Sequence, residues 1–298
     1  LAACKVGPDF TEPTAPLADR WLQSGDPSVR TDRREDERWW TVFNDSTLND
    51  LVDLAYRQNL TLLAAGTRVL EARAQLGVAT GEFYPQSQAV GAGLSYTRPS
   101  QRDPTGFTGA ELGEFWRGAM SASAVWELDF WGRFRRGVQS ADAAYLASIA
   151  TYDDVLVTLV GDVATNYIGI RTLQAQLAIA QANVVRQRQA LRIARDRFAG
   201  GVTTGLDVAQ AENVLAQTEA AIPQLTAQLE QGQASLRVLL GMPTGPVDDL
   251  LTGPPTIPNP PETVAVGIPA ELLRRRPDIR AAELRAAAQS EQIGIAKA

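Results

Sequence analysis

At Ile149, Leu156, Val163, Ile170, Leu177, Val184, Leu191 and Phe198 an apolar side chain recurs at every seventh position, with no proline in the interval and only Gly161 and Gly169 as weak helix formers. A strict seven-residue repeat makes a narrow coiled-coil seam rather than the broad apolar stripe of an ordinary globular helix. The period lapses over residues 200–207 and resumes at Val208, Leu215, Ile222, Leu229 and Leu236, supported on the neighbouring row by Ala211, Leu225 and Leu239. Two heptad helices joined by so short a turn form a hairpin. The turn chemistry agrees: Gly200 and Gly201 can supply the left-handed C-terminal cap of the first helix, and Thr204-Gly-Leu-Asp207 fits a capping box for the second.

The same turn contains Gly200-x-x-x-x-Gly205, the glycine spacing of a phosphate-binding loop. That loop needs Lys and then Ser or Thr directly after its last glycine, to meet the outer phosphates and magnesium. Here Leu206 and Asp207 follow, so a phosphate would meet a carboxylate, and no apolar strand precedes the glycines. A nucleotide site is therefore disfavoured, and the glycines are read as a tight bend.

Helix lengths constrain what lies beside the hairpin. At about 1.5 Å per residue, a first helix from near Gly137 to Ala199 runs roughly 95 Å, while a return from Asp207 to Leu240 covers only about 50 Å. A further helix must extend the return, and the segment from Asn59 to Phe83, worth roughly 35 Å by the same rise, is the available candidate. Pro223, inside the return helix, is expected to kink or locally break it.

Ahead of the heptads the period changes from seven to two. In Met120–Phe130 the even positions Met120, Ala122, Ala124, Trp126, Leu128 and Phe130 are apolar, while Ser121, Ser123, Glu127 and Asp129 are polar. Before it, Val90, Ala92, Leu94 and Tyr96 alternate with Gly91, Gly93 and Ser95, and a Gly/Pro-rich polar loop from Arg98 to Glu114 joins the two runs. Each run has the length of about 10 residues that a tilted strand needs to cross a bilayer, with Trp126, Phe130 and Trp131 as interface aromatics. A half-exposed hairpin on a soluble domain has the same pattern, so both readings stand on periodicity alone. A membrane hairpin could not stand by itself, since open edges in lipid leave backbone groups unpaired, and its closure would need further copies.

Composition removes whole classes of function. The 298 residues include no histidine and one cysteine, Cys4, which argues against imidazole acid/base chemistry, disulfides and ordinary thiolate or imidazole metal sites. A net charge of −6 argues against a nucleic-acid surface. No uninterrupted apolar run reaches the length of about 18 residues expected of a transmembrane helix. Leu1-Ala-Ala-Cys4 looks like the lipobox of bacterial lipoproteins, in which the cysteine becomes the acylated N-terminus, and Lys5 in the next position favours the outer membrane; several acyl chains, at about 0.8 kcal/mol per buried methylene, would anchor durably. Residues 5–38, rich in Pro, Asp and Arg, read as an extended tether. Trp39, Trp40 and Phe43 read as a packing cluster, and Arg274-Arg-Arg276 as a helix end with a solvated face. Asn59–Gly81 aligns without gaps on Arg276–Ala298, matching Ala64 with Ala281, Arg68 with Arg285, Gln75 with Gln292 and Gly77 with Gly294. This is the trace of an internal repeat whose second copy has only begun.

Taken together, Cys4-Lys-Val-Gly-Pro-Asp-Phe10, Trp39-Trp40-x-x-Phe43-x-Asp45, Trp126-Glu-Leu-Asp-Phe-Trp-Gly132, Arg197-Phe198-x-x-Gly201 through Leu206-Asp207-Val208, and Arg276-Pro277-Asp-Ile279-x-Ala-Ala-Glu283 resemble the TolC-like outer-membrane factors, in the lipoprotein branch that serves tripartite efflux pumps. The resemblance implies a mainly α fold with a β-hairpin: a long antiparallel coiled-coil hairpin of a periplasmic α-barrel, plus strands of a twelve-stranded membrane β-barrel completed by a homotrimer. It divides the chain into 1–4, the end of a lipoprotein signal peptide with its lipobox; 5–44, a tether; 45–241, a first repeat with helices over 46–84 and 137–240 and strands over about 87–97 and 118–130; 242–269, a Pro-rich crossover; and 270–298, the start of a second repeat. It also implies roughly 150 to 200 further residues after Ala298, carrying a second strand pair and a second heptad hairpin of similar helix lengths.

By the same resemblance the molecule is a passive conduit for drugs or other small molecules from periplasm to exterior, not an enzyme, with no cofactor beyond a lipid on Cys4 and no metal. Its partners are a membrane-fusion adaptor, an inner-membrane pump and outer-membrane lipid. The adaptor would dock at Gly200, Gly201, Thr203, Gly205, Leu206 and Asp207. Glu127 and Asp129 are candidates to face a water-filled lumen and bias it toward cations. A type I secretion conduit and a pore-free periplasmic coiled-coil scaffold are the competing readings.

Overall fold

The computed structural model of the chain describes residues 5–14, 26–27, 29–30, 38–98, 113–251, 253, 255–260, 264–265 and 273–298. Cys4 and most of the expected inter-strand loop, 99–112, lie outside them. The described residues pack as two units, each built from separated stretches: one from 5–13, 70–147 and 283–298, the other from 14–69 and 148–282.

In the second unit the heptad hairpin is α3 (Arg133–Ala199) turning back into α4 (Gly205–Leu239), although α3 begins in the first unit. Every seam residue from Ile149 to Leu191 is buried or half-buried, as is every one from Val208 to Leu236; only Phe198, at the turn, is exposed. Outside the seam the helices are tied by two ion pairs, Arg188–Glu219 at 2.7 Å and Arg195–Glu212 at 2.6 Å. These rungs are seven residues apart on both helices, so they repeat the register of the seam. α4 runs unbroken through Pro223, so the expected break does not occur. The proline is exposed, and half-buried Ile222 and Leu225 hold the helix to its partner on either side.

The rest of this unit is organised around the far end of α4. α1 (Ser46–Gln58) starts where the Asp45 carboxylate accepts the Leu48 N–H at 3.0 Å, and it buries Leu48, Leu51, Val52 and Ala55 at helical spacing. Asn59 is extended, with ψ of 121°, and α2 (Leu60–Gly81) follows at once. The helix expected over 46–84 is therefore two helices. Asn59 separates them because its side chain caps the second one, accepting the Leu62 N–H at 2.8 Å. The same side chain donates to the Leu239 carbonyl at 2.8 Å, so α4 ends where α2 begins. α2 thus begins at the residue that meets the end of the 35-residue α4.

The core of this unit gathers Leu48, Leu51, Val163, Ile170, Leu236 and Leu240, all at 1% exposure or less. Each contributes about 2 kcal/mol by leaving water. Trp40 joins them from a 3-10 turn, Trp39–Phe43, with edge-to-face contacts from Trp39 to Trp40 at 6.2 Å and to Phe43 at 6.4 Å. A polar thread crosses this core. The Tyr167 hydroxyl donates to Asp45 at 2.8 Å and accepts from Arg171 Nε at 3.1 Å, and Arg171 reaches the Leu251 carbonyl at 3.4 Å. Within the expected tether and crossover, β1 (Val29–Arg30) pairs in parallel with β4 (Val264–Ala265).

The first unit carries the other two strands, β2 (Ser87–Thr97) and β3 (Phe115–Val125), paired antiparallel without a bulge from Ser87 opposite Val125 to Thr97 opposite Phe115. β2 lies where the alternation places it. β3 is shifted from the expected 118–130, although the alternation continues to Phe130. Pairing stops at Val125 because β2 has run out: beyond Ser87, the Gln86 side chain takes over both backbone groups of Glu127, accepting its N–H at 2.8 Å and donating to its carbonyl at 3.3 Å. α3 then starts at Arg133, four residues before the expected Gly137. The two copies of the repeat are both helical, as α2 and as α5 (Pro277–Lys297).

One stretch of α3 is long and apolar enough, by composition alone, to cross a membrane, which a count of uninterrupted apolar runs does not register.

Candidate functional site

The turn between α3 and α4 is capped from both sides. Gly201 has φ of +75°, its N–H bonds to the Phe198 carbonyl at 2.9 Å, and the Val202 N–H bonds to the Arg197 carbonyl at 2.9 Å. This is a Schellman cap. On the far side the Asp207 carboxylate accepts the Thr204 N–H at 2.9 Å and the Thr204 hydroxyl at 3.0 Å, so the capping box is built chiefly from its acidic half. Those hydrogen bonds, from the Thr204 backbone first, hold the Asp207 carboxyl below the ordinary carboxylate range. A carboxylate placed there occupies the α4 amino terminus, where a phosphate would have to sit.

Of the six expected docking residues, Gly200, Gly201, Gly205, Leu206 and Asp207 are exposed and adjoin one another at this turn, while Thr203 is half-buried with its hydroxyl enclosed and without a hydrogen-bond partner. Two neighbours escaped the sequence reading as surface groups: Val202, 75% exposed, and the Phe198 ring, 51% exposed. With Leu206 they make an apolar tip of side chains four residues apart. Phe198 is the last seam residue before the glycines, and that position is the sequence signal for its exposure. A Cβ on Gly205 would lie 3.9 Å from that ring, in ordinary contact, so the glycine leaves room beside Phe198 rather than being forced by it.

The β2–β3 hairpin has two unlike faces. Val90, Ala92, Leu94 and Tyr96 face the same way as Ala122, Met120, Gly118 and Trp116; the other face holds Ala89, Gly91, Gly93 and Ser95 with Ser123, Ser121, Ala119 and Arg117. Both faces are open: Val90 is 81% and Met120 85% exposed. At the end nearest the helices Trp126, Phe130 and Trp131 are exposed as well.

Glu127 and Asp129 have different surroundings. Glu127 is exposed, with Arg133 at 3.7 Å. Asp129 is turned inward, with 8% of its side chain exposed, accepting the Phe134 and Arg135 N–H groups at 3.3 and 3.0 Å and the Arg135 guanidinium at 3.0 Å. Burial raises its pKa, but these donors outweigh burial and hold it below the ordinary range. Its carboxylate is thus engaged at the start of α3.

The residues following Cys4 form a strap whose partners were not legible in sequence. Arg136 is 1% exposed. Its Nε donates to the Val6 carbonyl at 3.1 Å and its Nη2 to the Gly7 carbonyl at 2.9 Å, while Nη1 meets Glu291 of α5 at 2.6 Å and Asp9 at 3.1 Å. Lys5 also pairs with Asp9 at 3.3 Å. Among the described residues no group of three or more His, Cys, Asp or Glu is placed to hold a metal ion.

A family profile described as Outer membrane efflux protein matches residues 51–242. Nodulation protein T of Rhizobium leguminosarum bv. trifolii is 32% identical over 304 residues, which covers 100% of this chain and 62% of that protein. The pyoverdine export outer membrane protein OpmQ of Pseudomonas putida is 32% identical over 300 residues, covering 100% of the chain and 63% of its own length. Among solved structures, the outer-membrane channel OprN superposes with a TM-score of 0.84 at 32% identity, over 99% of this chain and 64% of that one. The chain thus spans about three-fifths of the length of the relatives it matches.

Proposed function

Because the chain belongs to the outer membrane efflux protein family, we propose that it is part of the outer-membrane channel of a tripartite efflux pump, a passive conduit for small molecules driven by an inner-membrane pump. The family is one of conduits rather than enzymes, so no bond is made or broken. The observation that carries this reading is the β2–β3 hairpin, eleven residues per strand, apolar on one face, small and polar on the other, with both faces open and, among the described residues, no further strand on either edge. Such a hairpin suits lipid on one side and water on the other, and its open edges require further strands. Those strands would come from a second repeat and from two more copies, giving a homotrimer. A relative named for pyoverdine export makes small exported compounds the class of cargo.

In this reading Cys4 carries the lipid that anchors the chain in the outer membrane, and the α3–α4 turn meets the adaptor through Phe198, Val202, Leu206 and the glycines. Glu127 alone of the acidic pair is left to face water.

The test is reconstitution of the full-length protein into planar lipid bilayers, together with restoration of efflux in a strain lacking it. Stepwise conductance from a detergent-stable trimer is expected. Recovery of the full-length protein without detergent, as a soluble monomer, would overturn the reading in favour of a pore-free periplasmic scaffold. Conductance without restored efflux, accompanied by restored export of a protein, would favour a type I secretion conduit.

A further inference from the structure

The strongest unexplained geometry lies around the strap. Between Lys5 and Asp9 the backbone passes through a slot too narrow for side chains. Gly7 has φ of +91°, and a Cβ on it would lie 2.5 Å from the Gly294 Cα of α5. A Cβ on Gly294 would lie 2.8 Å from Arg136 Nε, and one on Gly132 would lie 3.3 Å from the Lys5 Cα. The Val6 N–H is bonded to the Trp131 carbonyl at 3.1 Å. The strap is therefore enclosed, with the turn before α3 on one side and α5 on the other. α5 belongs to the second copy of the repeat, so three parts distant in sequence meet at one guanidinium.

A buried guanidinium is costly unless its donors are met. Here two of its bonds go to strap carbonyls, Val6 and Gly7, and Glu291 of α5 takes a third at 2.6 Å. Without the strap, Arg136 would hold Glu291 alone across an open slot, and water would enter. With the strap seated, the same side chain draws α5 onto α3, where Ser140 also donates to the Ala288 carbonyl at 2.9 Å and accepts from Gln292 at 2.8 Å.

We propose that residues Lys5–Asp9 are an assembly latch: seating them beneath Arg136 locks the first helix of the second repeat onto α3, so attachment of the N-terminus and closure of the two repeats are one event. The latch does not depend on what the assembled protein conducts.

The experiment is hydrogen exchange on the full-length protein in detergent, comparing the natural sequence with Gly7→Leu, which cannot enter the slot, and with the milder Asp9→Asn, which removes the ion pairs of Asp9 with Arg136 and Lys5 and leaves the slot intact. A latch predicts that Gly7→Leu speeds exchange about tenfold or more throughout α5, from residue 284 onward, and not only where α5 touches the strap, while the α3–α4 hairpin keeps its protection. Asp9→Asn is expected to do the same to a smaller degree. Arg136→Met should match Gly7→Leu, and the double variant should be little worse than either single one, because both act through one lock. If α5 keeps its natural protection in Gly7→Leu while the strap alone exchanges faster, the strap is only draped on a finished body and the latch is wrong. Full additivity of the two losses also overturns it. Should Gly7→Leu not accumulate, Asp9→Asn decides by the same readout.

Discussion

The side-chain amide of Asn59 donates to the Leu239 carbonyl at 2.8 Å while its oxygen accepts the Leu62 N–H at 2.8 Å and its own N–H bonds back to Ala55 at 2.9 Å. One buried residue thus closes α1 through its backbone N–H, and its side chain opens α2 and satisfies a terminal carbonyl of α4. Asn59→Ala removes an N-cap worth about 1 kcal/mol and leaves the half-buried Leu239 carbonyl without its partner, at about 1–3 kcal/mol. The expected loss is about 2–4 kcal/mol, read as a lowered urea midpoint of the helical circular-dichroism signal with the slope unchanged.

Two glycines in the same kind of cap separate backbone conformation from crowding. Gly201 and Gly241 have φ of +75° and +65° and both close Schellman motifs, the second through the Met242 N–H and the Arg237 carbonyl at 3.0 Å. Around Gly201 nothing lies within 4 Å of an added Cβ, whereas at Gly241 that atom would overlap the Gln58 carbonyl. Gly201→Ala is expected to cost about 1 kcal/mol, for the left-handed conformation alone. Gly241→Ala adds overpacking of about 1–3 kcal/mol and should unfold at clearly lower denaturant. Equal midpoints for the two variants would count against the junction at Asn59.

The pH dependence of the turn follows from Asp207. Its folded pKa is lowered, so the stability it lends is present in full above the ordinary carboxylate range and is lost as the pH falls through the lowered value. Amide exchange over residues 204–210, corrected for its intrinsic pH dependence, should therefore show constant protection near neutrality and a decline only in acid. Asp207→Asn should flatten that decline, since an amide side chain does not titrate.

The hairpin faces make a paired prediction. Met120 lies on the apolar face opposite Ala92, and Ser123 on the small polar face opposite Ala89. If the first face meets lipid, Met120→Arg costs about 2–4 kcal/mol near the bilayer midplane, and the folded, membrane-integrated fraction drops sharply. Ser123→Arg, toward water, should integrate as the natural protein does. The reverse result would exchange the assignment of the faces.

Much of this was legible because the signals are periodic. The seam from Ile149 to Leu191 has one residue in seven to place, and each of them is buried or half-buried in the folded chain. β2 was legible for the same reason, since Val90, Ala92, Leu94 and Tyr96 share a face whatever they touch. Periodicity is silent about endings. The alternation through Phe130 gave no hint that Gln86 would stop the pairing at Val125, nor that Asp129 would be consumed in starting α3. The break between α1 and α2 rests on a single Asn whose second partner is 180 residues away. Arg136 is the clearest miss: an arginine near a helix start reads as surface, and nothing local marks it as buried, because its partners are 130 and 155 residues distant in the chain.

The tip offers the sharpest functional test, because its exposed apolar groups are not needed by the fold. Val202 is 75% exposed and its side chain is free to change without disturbing the cap, whose bonds are made by backbone groups. If the turn docks an adaptor in a trimeric efflux channel, Val202→Asp should leave the trimer and its abundance intact yet abolish drug resistance in cells, because a charge is placed where the adaptor would bury an apolar contact. Gly205→Arg acts by bulk beside Phe198 and should do the same. Asp207→Lys is a weaker probe, since it also removes the capping carboxylate. Resistance and trimer yield measured together separate the outcomes: loss of both means a damaged fold, and full resistance in Val202→Asp and Gly205→Arg with normal trimer means that the adaptor does not use this turn.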